Sequence, residues 1–229
     1  SQPESQQPAS VCTPLYISTK TKIGYLNQSI PLADVFWKIP VSPYHLPKEG
    51  IIKKQMKFNC TDPSALEALC AQVHADSEAS GAYLEEHVIS HIENPGGRIP
   101  FRDVRKISLG LCKKDVASYR SKKKGAFYNC FVVILRLYWE NRYKEIHIKV
   151  FNTGKLEIPG IRDENLLTSA LELLTQVLDP FMPVSAEPLK HLEGRSETVL
   201  VNSNFSCNYY LDRQALFGLM RKKYGIACS

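Results

Sequence analysis

The chain has no Cys-x-x-Cys pair, no stretch near the roughly eighteen apolar residues of a membrane span, and no charged-then-apolar layout at its N-terminus. Seven cysteines are scattered at 12, 60, 70, 112, 130, 207 and 228. That pattern excludes a zinc ribbon and a regular disulfide framework, and predicts reduced thiols in an intracellular setting. The other two absences predict no membrane partner and no secretion. Also missing are a Gly-x-x-x-x-Gly-Lys-Ser/Thr loop, a Gly-x-Ser-x-Gly elbow and a paired-carboxylate motif. No residue is marked for catalysis, so neither an enzyme nor a cofactor is expected. His87 and His91 lie four apart, a spacing that suits zinc on a helix. Their segment alternates as a strand and has no third ligand placed beside it, so they read as surface histidines.

The chain does have 229 residues, 44% of them apolar and 23% charged, enough for one good core or two small ones. The net charge of +6 is unevenly spread. Residues 98–124 hold ten Lys or Arg (Arg98, Arg102, Arg105, Lys106, Lys113, Lys114, Arg120, Lys122, Lys123 and Lys124) against only Asp103 and Asp115. Phe101 and Tyr119 are interleaved with them, and Phe127 and Tyr128 follow. Such a segment predicts polyanion binding; the alternative is a solvated loop that maintains solubility.

Residues 1–10 contain nothing to bury and are expected to be disordered. Leu15 to Leu26 reads as a strand, Pro31 opens a short helix through Ile39, and residues 50–60 return as a strand. Asp62-Pro63 caps a helix on which Leu66, Leu69, Cys70 and Val73 share a face. Residues 83–93 and 98–111 form strands around the Asn94-Pro-Gly-Gly97 turn. Phe127 to Trp139 is a long strand whose odd positions, Phe131, Val133, Leu135 and Leu137, are wholly apolar. Its other face carries Tyr128, Cys130, Val132, Ile134 and Arg136 and must meet more protein or a partner. Asp163 caps a helix to about Leu178, with Leu167, Leu171, Leu174 and Leu178 on one stripe. Thr198 to Leu211 reads as a strand, and Asp212 caps a last helix ending near Gly225.

The most informative stretch is Tyr143 to Gly160. It reads as two strands joined at Asn152-Thr153-Gly154. Ile146, Ile148, Val150, Leu156 and Ile158 form one apolar face, and Glu145, His147, Lys149, Lys155 and Glu157 the other. Phe151 falls on the polar face beside the turn. It is either a contact residue, such as a wedge between base steps, or a sheet-edge aromatic covered by a loop.

The run Val150-Phe-Asn-Thr-Gly-Lys-Leu-Glu-Ile-Pro-Gly160 resembles the hairpin of the TATA-box-binding protein family, and more closely that of the TATA-binding-protein-like proteins of large nucleocytoplasmic DNA viruses. Residues 49–60, 103–110, 126–131 and 199–205 resemble the same viral group. The resemblance implies an α+β fold with a curved antiparallel sheet, helices on its convex face and an incomplete second repeat. It divides the chain into a tail (1–14), a first repeat (15–182) with a basic insertion at about 62–125, a linker (183–197) and the start of a second repeat (198–229). On that pattern the chain is expected to continue for roughly another repeat. It implies a DNA-binding transcription-initiation factor, with double-stranded DNA on the concave face and RNA polymerase or general initiation factors as further partners. The setting would be the host nucleus, a cytoplasmic viral factory or the virion. Phe151 matches a wedge position, Lys155 a phosphate-facing lysine, Arg136 an arginine of the preceding strand, and Asn202 a groove-contacting asparagine. Asn204 lies on the same face as Asn202, and Thr19 is the first-repeat counterpart. Lys149, Arg120, Lys122, Lys123 and Lys124 complete the expected DNA contacts. The second wedge position falls at Cys130. Two other roles remain open: a protein-interaction adaptor of the viral transcription machinery, and a non-specific DNA-binding or packaging protein.

Overall fold

Strand-forming, alternating sequence dominates the order of elements. The computed structural model describes residues 11–117, 128–183 and 187–226. Its strands are β1 (Tyr16–Tyr25), β2 (Gly50–Cys60), β3 (Leu84–Glu93), β4 (Phe101–Gly110), β5 (Cys130–Trp139), β6 (Arg142–Phe151), β7 (Lys155–Pro159) and β8 (Glu197–Asn204). The helices are α1 (Leu32–Lys38), α2 (Pro63–Ser80), α3 (Lys113–Ala117), α4 (Glu164–Leu178) and α5 (Arg213–Tyr224). The chain is α+β, with an open eight-stranded sheet in the order β3-β4-β2-β5-β6-β7-β1-β8. It divides into a larger unit, Thr19–Leu200, and a smaller one made of residues 1–18 and 201–229.

The larger unit follows the period-two pattern. Antiparallel pairing sets Phe131 opposite Val150, Val133 opposite Ile148 and Leu135 opposite Ile146. All six are buried in one core with Val35 and Phe36 of α1, Leu69 and Val73 of α2, and Leu167, Leu171, Leu174 and Leu178 of α4. One face of the sheet therefore lies under α1, α2 and α4. The caps form as their residue types require: Asp62 accepts from the Ala65 amide, and Asp163 from the amides of Asn165 and Leu166.

Turn chemistry fixes the register of the central hairpins. Glu140 and Asn141 both have positive φ, 50° and 60°, the backbone that a two-residue hairpin turn needs to match strand twist. Gly154 has φ 81°, and a Cβ there would lie 2.4 Å from the Gln28 carbonyl oxygen. No other residue fits that turn without displacing the segment after β1.

Two features depart from simple alternation. The β2–β5 register slips between Ile51 and Lys53, a bulge that puts both Ile52 and Lys53 on the face away from the helices. Lys54 then falls on the core side, 1% exposed, where its Nζ donates to the Ile39 carbonyl at 3.0 Å and pairs with Asp76 at 3.1 Å. The last strand is also shorter than the sequence suggests. It ends at Asn204, because Asn208 turns into the left-handed region at φ 60° and its amide is held by the Ser206 hydroxyl.

Candidate nucleic-acid interface

The face opposite α1, α2 and α4 in the larger unit carries the polar members of each alternating strand. Between the 44–47 loop, the residues after β4 and the strands lies a trough of about 2180 Å³. Eight Lys or Arg side chains line it against Glu85, Asp115 and Glu145, so its field favours a polyanion. Its floor includes Lys53, Lys106 and His147. Desolvation lowers the pKa of Lys106, with Lys53 adding like-charge repulsion and Glu85 opposing both. Desolvation likewise pushes His147 below its ordinary value, although the residue as a whole keeps solvent exposure.

Part of this face is covered by the chain itself. Helix α3 sits at the trough edge, anchored at both ends of its charge pattern. Lys53, only 4% exposed, donates to Asp115 at 2.8 Å, and the Lys113 amide donates to both oxygens of Glu145 at 3.1 and 3.0 Å. Burial would raise the Asp115 carboxyl, but the Lys53 ammonium, the Cys112 thiol and the Cys112 amide together hold it below its usual value. Cys112, Ile52, Ile134 and the ring of Tyr44 form a small apolar cluster on the same side. This answers what the second apolar face of β5 meets: more of the same chain.

Arg136 serves that covering. It is 6% exposed, its Nη1 donates to the Leu46 carbonyl at 2.7 Å, and its guanidinium stacks 4.9 Å from the Tyr44 ring centroid. The sequence points Arg136 at phosphate; in the structure it holds the 44–47 loop.

The other expected contacts separate clearly. Phe151 ends β6 opposite Cys130, half-buried rather than covered, and Lys155 Nζ lies 6.0 Å from its ring centroid. Cys130 is buried, with its thiol pushed up by burial, so no second ring stands beside Phe151 at that register. Lys149, half-buried, pairs with Glu157 across the strands at 2.6 Å, so the Glu157 carboxylate on this face is neutralised by its neighbour. Thr19 is half-buried on β1, near the β7 end that Pro159 marks and far along the strand from Lys155, which pairs with Tyr25. In the smaller unit, Asn202 and Asn204 are exposed on β8, and Asn202 accepts from the Ser18 hydroxyl through both its backbone oxygen, at 3.0 Å, and Oδ1, at 2.9 Å. Arg120, Lys122, Lys123 and Lys124 lie outside the described residues, as do Tyr119 and Phe127.

The basic segment nevertheless has two described anchors. It leaves through Ala117, which lines the trough, and returns at Tyr128, whose ring lies 3.4 Å from Lys57 Nζ. Lys57 is on the same open face, directly opposite Lys106. Sequence reasoning overlooked Lys53, Lys57 and the 44–47 loop, because the bulge at Ile52 resets the parity of β2. The same effect separates the two histidines. A bulge between Val88 and Ser90 leaves His87 opposite Lys106 and His91 opposite Asp103, whose Oδ2 its Nδ1 meets at 2.7 Å. Among the described residues, no three His, Cys, Asp or Glu side chains gather where they could hold a metal ion, and no helix is long and apolar enough to cross a membrane. No protein-family model matches the chain, and no curated protein or solved structure does either.

Proposed function

We propose that this chain is a DNA-binding transcription-initiation factor of the TATA-binding-protein-like kind, contacting duplex DNA with the sheet face opposite α1, α2 and α4. The observation that carries the reading is the cationic excess along that trough, eight Lys or Arg against three carboxylates. Phe151 and Lys155 stand together at one end of the neighbouring hairpin. Lysines facing a groove neutralise phosphates, and a half-exposed ring beside them can enter between base steps. Lys149, Lys155, Lys57 and Lys106 serve as phosphate contacts, and Phe151 as the wedge. Arg120, Lys122, Lys123 and Lys124, outside the described residues, remain expected phosphate contacts of this reading. RNA polymerase or initiation factors are the further partners of this reading, and the host nucleus, a cytoplasmic viral factory or the virion its setting.

The test pairs a salt titration with a bending assay on A·T-rich and G·C-rich duplexes. About six phosphate contacts give a log-log salt slope near −5. Bending that depends on sequence supports a TATA-like mode. A slope of that size without bending leaves a non-specific or packaging role. Binding too weak to titrate removes DNA from the account. One observation favours the adaptor as second reading: Val201, Phe205, Leu216 and Phe217 of the smaller unit are all exposed and apolar, the composition of a protein-contact surface.

A further inference from the structure

The smaller unit joins the two ends of the described chain and buries almost nothing. Val201 to Asn204 of β8 are exposed throughout, and α5 has no buried residue. Hydrogen bonds do the joining. The Thr13 amide donates to the Ser206 carbonyl at 2.8 Å, the Ser206 amide returns to Thr13 Oγ1 at 2.7 Å, and the Asn208 side-chain amide donates to the Val11 carbonyl at 2.7 Å. Bonds of this kind, open to water, stabilise weakly. A unit with so little core is where a covalent link has the largest effect.

Those same bonds define a register. Thr13 meets Ser206 and Val11 meets Asn208, so the two segments run in opposite directions and set Cys12 across from Cys207. Neither forms a disulfide in the structure: Cys12 is exposed and Cys207 half-buried. Cys60, Cys112 and Cys130 are buried in the larger unit, and Cys70 is engaged there by the Arg105 guanidinium at 3.7 Å.

We propose that Cys12 and Cys207 form a reversible disulfide that closes the smaller unit. The oxidant is a low-molecular-weight disulfide such as glutathione disulfide. One protein thiol gives its proton to solvent and its thiolate attacks a glutathione sulfur, expelling the first glutathione thiolate. The second protein thiolate attacks the mixed disulfide and expels the other. Two cysteines lose two electrons, one glutathione disulfide gains them, and two glutathione thiols leave with the two protons. Desolvation and the neighbouring Cys207 sulfur raise the Cys12 thiol above its ordinary value, so the exchange accelerates as pH rises. Cys12 has eleven residues before it and Cys207 lies in the loop after β8. The bond therefore links sequence-distant segments and removes chain entropy from the unfolded state of both.

The full chain is equilibrated with mixtures of reduced and oxidised glutathione, quenched by alkylation and mapped as tryptic peptides. The expected result is one linked Cys12–Cys207 peptide at oxidising ratios, unchanged on protein dilution and lost on adding reductant. In the same oxidised sample, tryptic cleavage at Arg213 and Arg221 to Lys223 slows several-fold. Cys12→Ser and Cys207→Ser each abolish both the link and the slowing. The inference is overturned if both thiols stay alkylatable at the most oxidising ratio. It is also overturned if Cys207 instead joins Cys228 or a second chain, or if the slowing persists in the serine variants. None of these results depends on DNA binding.

Discussion

Phe151 is placed by alternation on a face where burial does not claim it, so its worth is measured in bound DNA. Under the wedge role, Phe151→Ala leaves the salt-dependent part of the affinity nearly intact and removes the induced bend. A fluorescence-transfer pair across the duplex reads the two effects separately. Unstacking a step costs a few kcal/mol, and without the ring nothing offsets it; an unchanged bend removes the wedge from the mechanism. Lys54 shows the opposite economy. Burial lowers its pKa, against the nearby Asp76 carboxylate, which favours the ammonium. The pair is enclosed beneath α1 and α2, with Lys54 1% and Asp76 16% exposed. Lys54→Met strands the carboxylate and is expected to cost roughly 3 kcal/mol in chemical denaturation. The double variant Lys54→Met/Asp76→Leu recovers most of that, since two apolar groups replace both charges. A double variant no better than the single would assign the loss to the carbonyls of Trp37 and Ile39, both of which Lys54 also serves.

At the scale of elements, α3 is the informative one. Five residues cannot sustain a helix alone, and it persists because Asp115 grips Lys53 and the Cys112 amide while Glu145 takes the Lys113 amide. The element therefore holds a carboxylate against the floor of a basic trough. Asp115→Asn removes one negative charge and releases Lys53. Duplex affinity at low salt is expected to rise about threefold or more, with the log-log slope steepening by nearly one. Fluorescence anisotropy at several salt concentrations checks both numbers. If affinity falls instead, α3 is part of the binding surface rather than a cover over it. The 44–47 loop and Arg136 act in a comparable way on the other rim, converting a residue expected to meet phosphate into a support for Leu46.

For the larger unit as a whole, the distribution of charge matters more than its sum. A net +6 over 229 residues is modest, yet the sheet collects cations from β2, β4, β5 and β6 onto one side, because adjacent strands are antiparallel and in register. Lys57 opposite Lys106 illustrates this. No sequence window contains that pair, and like charges directly opposed are unfavourable unless a partner relieves them. The ring of Tyr128 over Lys57 and the Glu85 carboxylate near Lys106 offer some relief; a bound polyanion would give more. A salt slope near −5 for the full chain is the corresponding measurement.

Alternation and helical spacing were enough to place every long element, because a period of two or 3.6 in apolar residues is a local property. So were the caps at Asp62, Asp163 and Asp212 and the turn at Gly154, which depend on one or two side chains. The hairpin face bearing Phe151, Lys149 and Lys155 was legible for the same reason. Bulges were not legible: a single extra residue at Ile52 or Ile89 exchanges faces for everything beyond it, and nothing in composition marks where a ladder will slip. That is why Lys53 joins the trough, Lys54 enters the core, and His87 and His91 part. The fate of Arg136, the pairing of Lys149 with Glu157 and the meeting of Cys12 with Cys207 likewise belong to the tertiary structure. Each depends on residues distant in sequence arriving within a few ångströms, a condition that long-range packing alone imposes.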